Sequence, residues 1–234
     1  MLAIYKREMK AYFITPLGYV FLGVFLLVSG AVFCFSTLYE MTSDLTEYFA
    51  TMLFCFIILL PLLTMKLFTE EKRARTEQLL LTAPVSVFSV VFAKFLAAYT
   101  MFAGASIFSG LYFIFLSFFG NVRVGLLFGN ILAILLIGMA FIAIGVFVSA
   151  ITESQLSAAI LTIGILLGFM LISVLADYIP VEWLRFVVSA LSVFYRYQNF
   201  GHGIFDIAAL VYYLSITALF LALTVRSVDR RRWR

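Results

Sequence analysis

The run GLLFGNILAILLIGMAFIAIGVFVSAI, residues 125–151, decides the fold. It carries no charge, and its apolar side chains fall on every face of a helical wheel instead of one stripe. In water such an element would need cover on all sides. A bilayer core gives that cover, and about 20 residues in helical form are enough to cross it. A barrel strand would alternate apolar and polar positions over about ten residues, which this run does not do. It reads as a transmembrane helix.

Working outward, the polar breaks leave five more such stretches: 17–39, 48–65, 95–119, 156–176 and 207–225. None contains Asp, Glu, Lys or Arg. With 65% of its 234 residues apolar and 12% charged, the chain lies outside the range of a water-soluble domain. The expected fold is an all-α polytopic membrane protein, one domain over residues 1–234 with six spans.

Basic residues set the expected orientation, because Lys and Arg in short loops stay on the cytoplasmic side. Lys6, Arg7 and Lys10 precede the first span; Lys66, Lys72, Arg73, Arg75 and Lys94 separate the second from the third; Arg226, Arg230, Arg231, Arg232 and Arg234 follow the sixth. The opposite side keeps only Arg123, Arg185 and Arg196. An even span count puts both termini on one face, so count and charge agree on cytoplasmic termini. The net charge of +4 is then explained by these flanking residues and their contact with anionic lipid, and nucleic acid is not an expected partner. Span one is longer than a signal-peptide core and no small-x-small site closes it, so it is expected to stay as an anchor.

Ahead of span one, Leu2, Tyr5, Met9, Tyr12 and Phe13 share one side of a candidate helix, with Lys6, Arg7 and Lys10 on others. Such a segment lies along a membrane interface, and Thr15-Pro16 should end it. The outer loops near 40–47 and 121–124 are short. The outer segment 177–206 repeats Trp183, Phe186, Val187, Ala190, Leu191 and Phe194 at helical spacing, which predicts an interfacial or re-entrant helix. Cys34 and Cys55 fall within apolar spans and read as packed, inert thiols. In span five, Gly164 and Gly168 form a Gly-x-x-x-Gly pair suited to close helix packing, within the subunit or between two copies.

The most informative loop is Lys66 to Lys94. Phe68-Thr-Glu-Glu-Lys-Arg-Ala-Arg-Thr-Glu-Gln78 predicts a charged helical stem, with Glu71 to Arg75 and Arg73 to Glu77 at the four-residue spacing that supports helices. Leu79, Leu80 and Leu81 follow, then Thr82-Ala83-Pro84. Three leucines after a solvated stem need a partner surface, which a protein docking from the cytoplasm would supply. The alternative is that they tuck under the inner membrane surface.

The spans hold no ionisable residue of the kind that relays protons or sodium. The chain has no Gly-x-x-x-x-Gly-Lys-Ser/Thr run and no Gly-Lys dipeptide, so it cannot cradle a nucleotide phosphate in a P-loop. Glu70-Glu-Lys-Arg-Ala-Arg75 and His202-Gly-Ile-Phe-Asp206 fit two short patterns of CAAX-type intramembrane proteases. That family also needs a Phe-x-x-x-His element, whereas His202 is the single histidine, and the expected topology puts it on the face opposite the carboxylates. A nucleotide-independent channel or scaffold is the other alternative.

Three stretches carry a family resemblance: Phe68 to Ser86, with its acidic-basic run, Thr76-Glu-Gln-Leu-Leu and Pro84-Val-Ser; Gly145 to Gln155, including Glu153; and Gly203-Ile-Phe-Asp206 with Tyr212-Tyr-Leu-Ser215 and Arg231-Arg-Trp233. Tyr5 to Phe13 and Pro16-Leu-Gly-Tyr19 fit as well. In these the chain resembles the permease subunits of ABC-2 type transporters, and among them the gliding-motility-associated branch. The resemblance implies a non-catalytic membrane subunit in the bacterial inner membrane, paired with a second permease, identical or paralogous, around a central path. It implies a separate ABC ATPase in two copies, which binds the ATP and magnesium while this chain binds neither. An auxiliary protein on the outer face is also compatible. Glu70, Glu71, Arg73, Arg75, Thr76, Glu77, Leu79, Leu80, Leu81, Pro84 and Glu153 become the expected ATPase-coupling residues.

Overall fold

A residue ahead of proline is pushed out of the helical region, and here that separates the first two helices. Thr15 is extended (φ −84°, ψ 149°), between α1 (Leu2–Ile14) and α2 (Pro16–Phe33). The computed structural model describes residues 1–42, 45–73, 86–118, 124–176 and 206–232, with 178, 179, 181, 183, 188, 192–194, 196, 197 and 200 between the last two segments. Beyond α2 a π-helical turn, Cys34–Tyr39, completes the first span. Then follow α3 (Thr46–Thr64), α4 (Lys66–Arg73), α5 (Val87–Ser109), α6 (Leu111–Ser117), α7 (Val124–Ile151), α8 (Gln155–Ala176) and α9 (Ile207–Arg232). Among the described residues there is no strand, and six helical segments are long and apolar enough to cross a membrane.

The expected spans are present, with boundaries that differ where local chemistry intervenes. Span three begins at Val87, because Ser86 is extended and its hydroxyl accepts the Ser89 amide at 3.3 Å. This is N-capping, which satisfies an otherwise orphaned donor. The consequence is that Lys94, expected in the loop, stands two turns inside α5. At its other end the span breaks at Gly110, where α5 gives way to α6. Cys34 is exposed and Cys55 half-buried, so the expectation of packed thiols fails for Cys34; both are free. Most of 177–205, including the expected outer interfacial helix and His202, lies outside the described residues.

The run that decided the fold is also its centre. In α7, 72% of the most apolar window is buried within the protein, against 22% in α8. The first leans on α9, α3, α5 and α8, whereas the second turns Leu156, Ile160, Leu167 and Leu171 outward, as a lipid-facing helix does. Phe25, Phe56 and Phe102 interlock beside α7, the last two with ring centroids 5.2 Å apart and edge to face. A Cβ at Gly138 would collide with the Phe102 ring, and one at Gly145 with Thr64. Close approach therefore depends on glycines of α7. By contrast, a Cβ at Gly164 or Gly168 would meet nothing within 4 Å, so this pair makes no tight contact within the chain among the described residues.

Candidate functional site at the joint of α3 and α4

The charged stem is not a free arm. Met65 alone separates α3 from α4, and the joint leaves helix-end carbonyls that need donors. Three side chains from three other helices bond to carbonyls at this joint, and Thr69 of α4 adds its own hydroxyl to the Met65 carbonyl at 2.6 Å. Tyr12 of α1 donates its hydroxyl to the Leu63 carbonyl at 3.0 Å; Ser149 of α7 donates to Met65 at 3.2 Å; Lys94 of α5 donates to Leu67 at 2.6 Å. The Ser149 oxygen also accepts the Phe68 amide at 3.1 Å. Gly145, one turn earlier on the same face of α7, lets that helix come close enough.

Around Lys94 the stem carries a closed ring of alternating charge. One oxygen of Glu8 accepts from Arg7 at 2.7 Å and from Lys94 at 3.2 Å, and one oxygen of Glu71 accepts from the same two cations at 2.8 and 2.9 Å. Only 1% of the Lys94 side chain is exposed, whereas Arg7 is 54% exposed. Burying an ammonium costs several kcal/mol unless it is paired. Here two carboxylates, a carbonyl and the Phe68 ring, 5.1 Å from the nitrogen, offset that cost. Partial burial opposes the charge on Arg7, but hydrogen bonds and attraction from Glu8 and Glu71 outweigh it and hold its pKa above the ordinary value. Burial raises that of Tyr12, with the Glu8 and Glu70 carboxylates adding to it, so it stays a neutral donor.

On the other side of the stem, Lys72 reaches the end of α7. Its ammonium donates to the carbonyls of Thr152 at 2.7 Å, Ser149 at 3.4 Å and Ala150. A cation at a helix C-terminus satisfies orphaned carbonyls and complements the helix dipole. α4 is thus tied through Glu71 to α1 and α5, and through Lys72 to α7.

Of the residues singled out in the sequence, Glu71 is in the ring, and Glu70 and Arg73 are exposed on α4. Glu153 is exposed in the turn between α7 and α8, directly after the carbonyls that Lys72 caps. Glu71 spends its bonds on Arg7 and Lys94 in addition to any helical neighbour. Arg75, Thr76, Glu77, Leu79, Leu80, Leu81 and Pro84 lie outside the described residues, and with them the expected pairs Glu71 to Arg75 and Arg73 to Glu77. Sequence reasoning did not assign Arg7, Glu8, Tyr12, Lys72, Lys94 and Ser149 to the site. A signal existed for one of them: Phe92-Ala-Lys-Phe-Leu-Ala-Ala98 sets a lone lysine among apolar residues at helical register, which is where a paired, buried cation belongs.

The sequence profile of a family described as ABC-2 family transporter protein matches residues 21–231. Comparison with curated proteins gives no match. The matched range runs from α2 into the end of α9 and includes the joint, the stem and all but the beginning of the first span. With six apolar helices of membrane-spanning length and a profile match over most of its residues, this multi-pass membrane protein belongs to the ABC-2 family of transporter proteins.

Proposed function

We propose that the chain is the permease subunit of an ATP-binding cassette transporter, driven by a separate ATPase. ATP and magnesium bind that partner, in two copies, and this chain performs no catalysis. Residues 1–234 act as one transmembrane domain, which pairs with a second permease, the same or a paralogue. The open face at Gly164 and Gly168 is available to that pairing. Both termini and α4 face the cytoplasm of a bacterial inner membrane, in line with the distribution of basic residues. The C-terminal residues Gly203 to Asp206, Tyr212 to Ser215 and Arg231 to Trp233 favour the gliding-motility-associated branch.

The observation that carries this reading is the way the joint is held. Docking energy delivered to Leu79, Leu80 and Leu81 would reach α4, whose links through Glu71 and Lys72 engage α1, α5 and α7 together. A loop held only by its own helix would dissipate such a push. Bonded to three elements, the stem passes it on as rigid-body movement of spans, which serves substrate export or force transmission across the membrane.

Orientation is tested by labelling Arg73→Cys with a membrane-impermeant maleimide, in a Cys34→Ser, Cys55→Ser background. Labelling should appear only after the cells are permeabilised. Equal labelling of intact cells would overturn the proposed topology and the ATPase contact with it.

A further inference from the structure

Beside the charged ring, α1 and α4, with Leu17 of α2 and Lys94 of α5, line an open cavity of about 300 Å³, at the small end of the range for ligand sites. Among the described residues its wall carries three cations, Arg7, Lys66 and Lys94, and three carboxylates, Glu8, Glu70 and Glu71. Four of these six are joined in the ring. Lys66 and Glu70, one helical turn apart on α4, make no hydrogen bond or ion pair among the described residues, not even with each other. A neutral cavity with one free charge of each sign is poorly suited to a net anion or cation. It suits a zwitterion whose two charges are separated by about one turn, ~5.4 Å.

We propose that this cavity holds a phosphoethanolamine group, the headgroup of an inner-leaflet phospholipid, with its phosphate on Lys66 and its primary ammonium on Glu70. The lining favours a primary ammonium over a quaternary one. A carboxylate accepts N–H bonds, which choline cannot donate, and choline is recognised instead by several aromatic faces, whereas among the described residues this wall offers Tyr12 alone. Ala11 and Leu17 provide an apolar margin for the glycerol end. The outer side of α1, with Leu2, Phe13 and Ile14 exposed, is what a helix resting on lipid presents, so a headgroup is at hand. A seated lipid would brace α1 against the stem from within the leaflet.

The seat lies in the inner leaflet only if the orientation proposed above holds; labelling at residue 73 reads orientation, whereas lipid retention reads the cavity, so each fails separately. The full chain, without ATPase, is reconstituted from vesicles containing equal phosphatidylethanolamine, phosphatidylcholine and phosphatidylglycerol, extracted gently, and its retained lipids are counted by native mass spectrometry. Phosphatidylethanolamine should be retained preferentially. Glu70→Gln should lower that retention about tenfold, the equivalent of one charge-assisted hydrogen bond, while the unfolding temperature is unchanged. Lys66→Gln should lower it as well and serves if the first variant folds poorly. Equal retention of the choline lipid, dominance of phosphatidylglycerol, or indifference to both variants would overturn the proposal. Saturable binding of soluble phosphoethanolamine with no lipid preference would keep the headgroup chemistry and overturn the lipid source.

Discussion

Replacing Lys94 by methionine is expected to cost about 3–5 kcal/mol of folding stability, because it leaves a set of nearly buried carboxylates without their shared cation. Glu8 and Glu71 are 12% and 17% exposed, and the cation they would still share is Arg7, which is more than half in solvent. The Leu67 carbonyl loses a side-chain donor at the same time. A plain loss of packing predicts a different pattern, since methionine roughly fills the volume of lysine. The triple change Lys94→Met, Glu8→Gln, Glu71→Gln should therefore recover most of the stability, because removing a whole buried ion network is far less costly than breaking it. Unfolding in detergent micelles followed by far-ultraviolet dichroism reads both. If the triple variant is as unstable as the single one, the ring does not act as a unit.

The second large effect is on association and leaves the fold untouched. Leu80→Asp should weaken ATPase binding about a hundredfold, which corresponds to roughly 3 kcal/mol, the order of one buried leucine. The carboxylate also has to be desolvated, so this is a lower bound. Co-purification from membranes should lose the ATPase while the variant unfolds at the temperature of the unsubstituted protein. Lys94→Met disturbs stability first and Leu80→Asp disturbs docking first, so the two variants separate the joint from the surface proposed to receive the engine. Full co-purification with Leu80→Asp would count against the coupling assignment.

How far the sequence was legible depends on whether a residue's role is local. The spans were readable because length and uninterrupted apolarity are properties of the run itself. The Thr15-Pro16 break was readable because proline acts on its neighbour. Lys94 was misplaced for the opposite reason. Its charge marked a loop as long as no partner was visible, and its partners Glu8 and Glu71 are distant along the chain and meet it only once α1 and α4 have packed on α5. Ser86 and Ser89 did carry a local capping signal that would have started span three at Val87. Small residues depend on their surroundings in the same way. The Gly-x-x-x-Gly spacing singles out span five, whereas close approach within the chain occurs at Gly138 and Gly145 on the central α7 and at Gly18 on α2, fixed by what faces each of them. Glu71 was chosen from the sequence as a coupling residue and sits in the joint, yet its ring with Arg7, Glu8 and Lys94 could not be inferred from spacing on its own helix.

The most direct measurement places a photo-crosslinking amino acid at position 80 in living cells and identifies the adduct by mass spectrometry. The expected result is one covalent partner, a cytoplasmic subunit that carries a P-loop. An adduct with lipid alone, or with a protein on the outer face, would contradict the entry of ATP-derived work at this site.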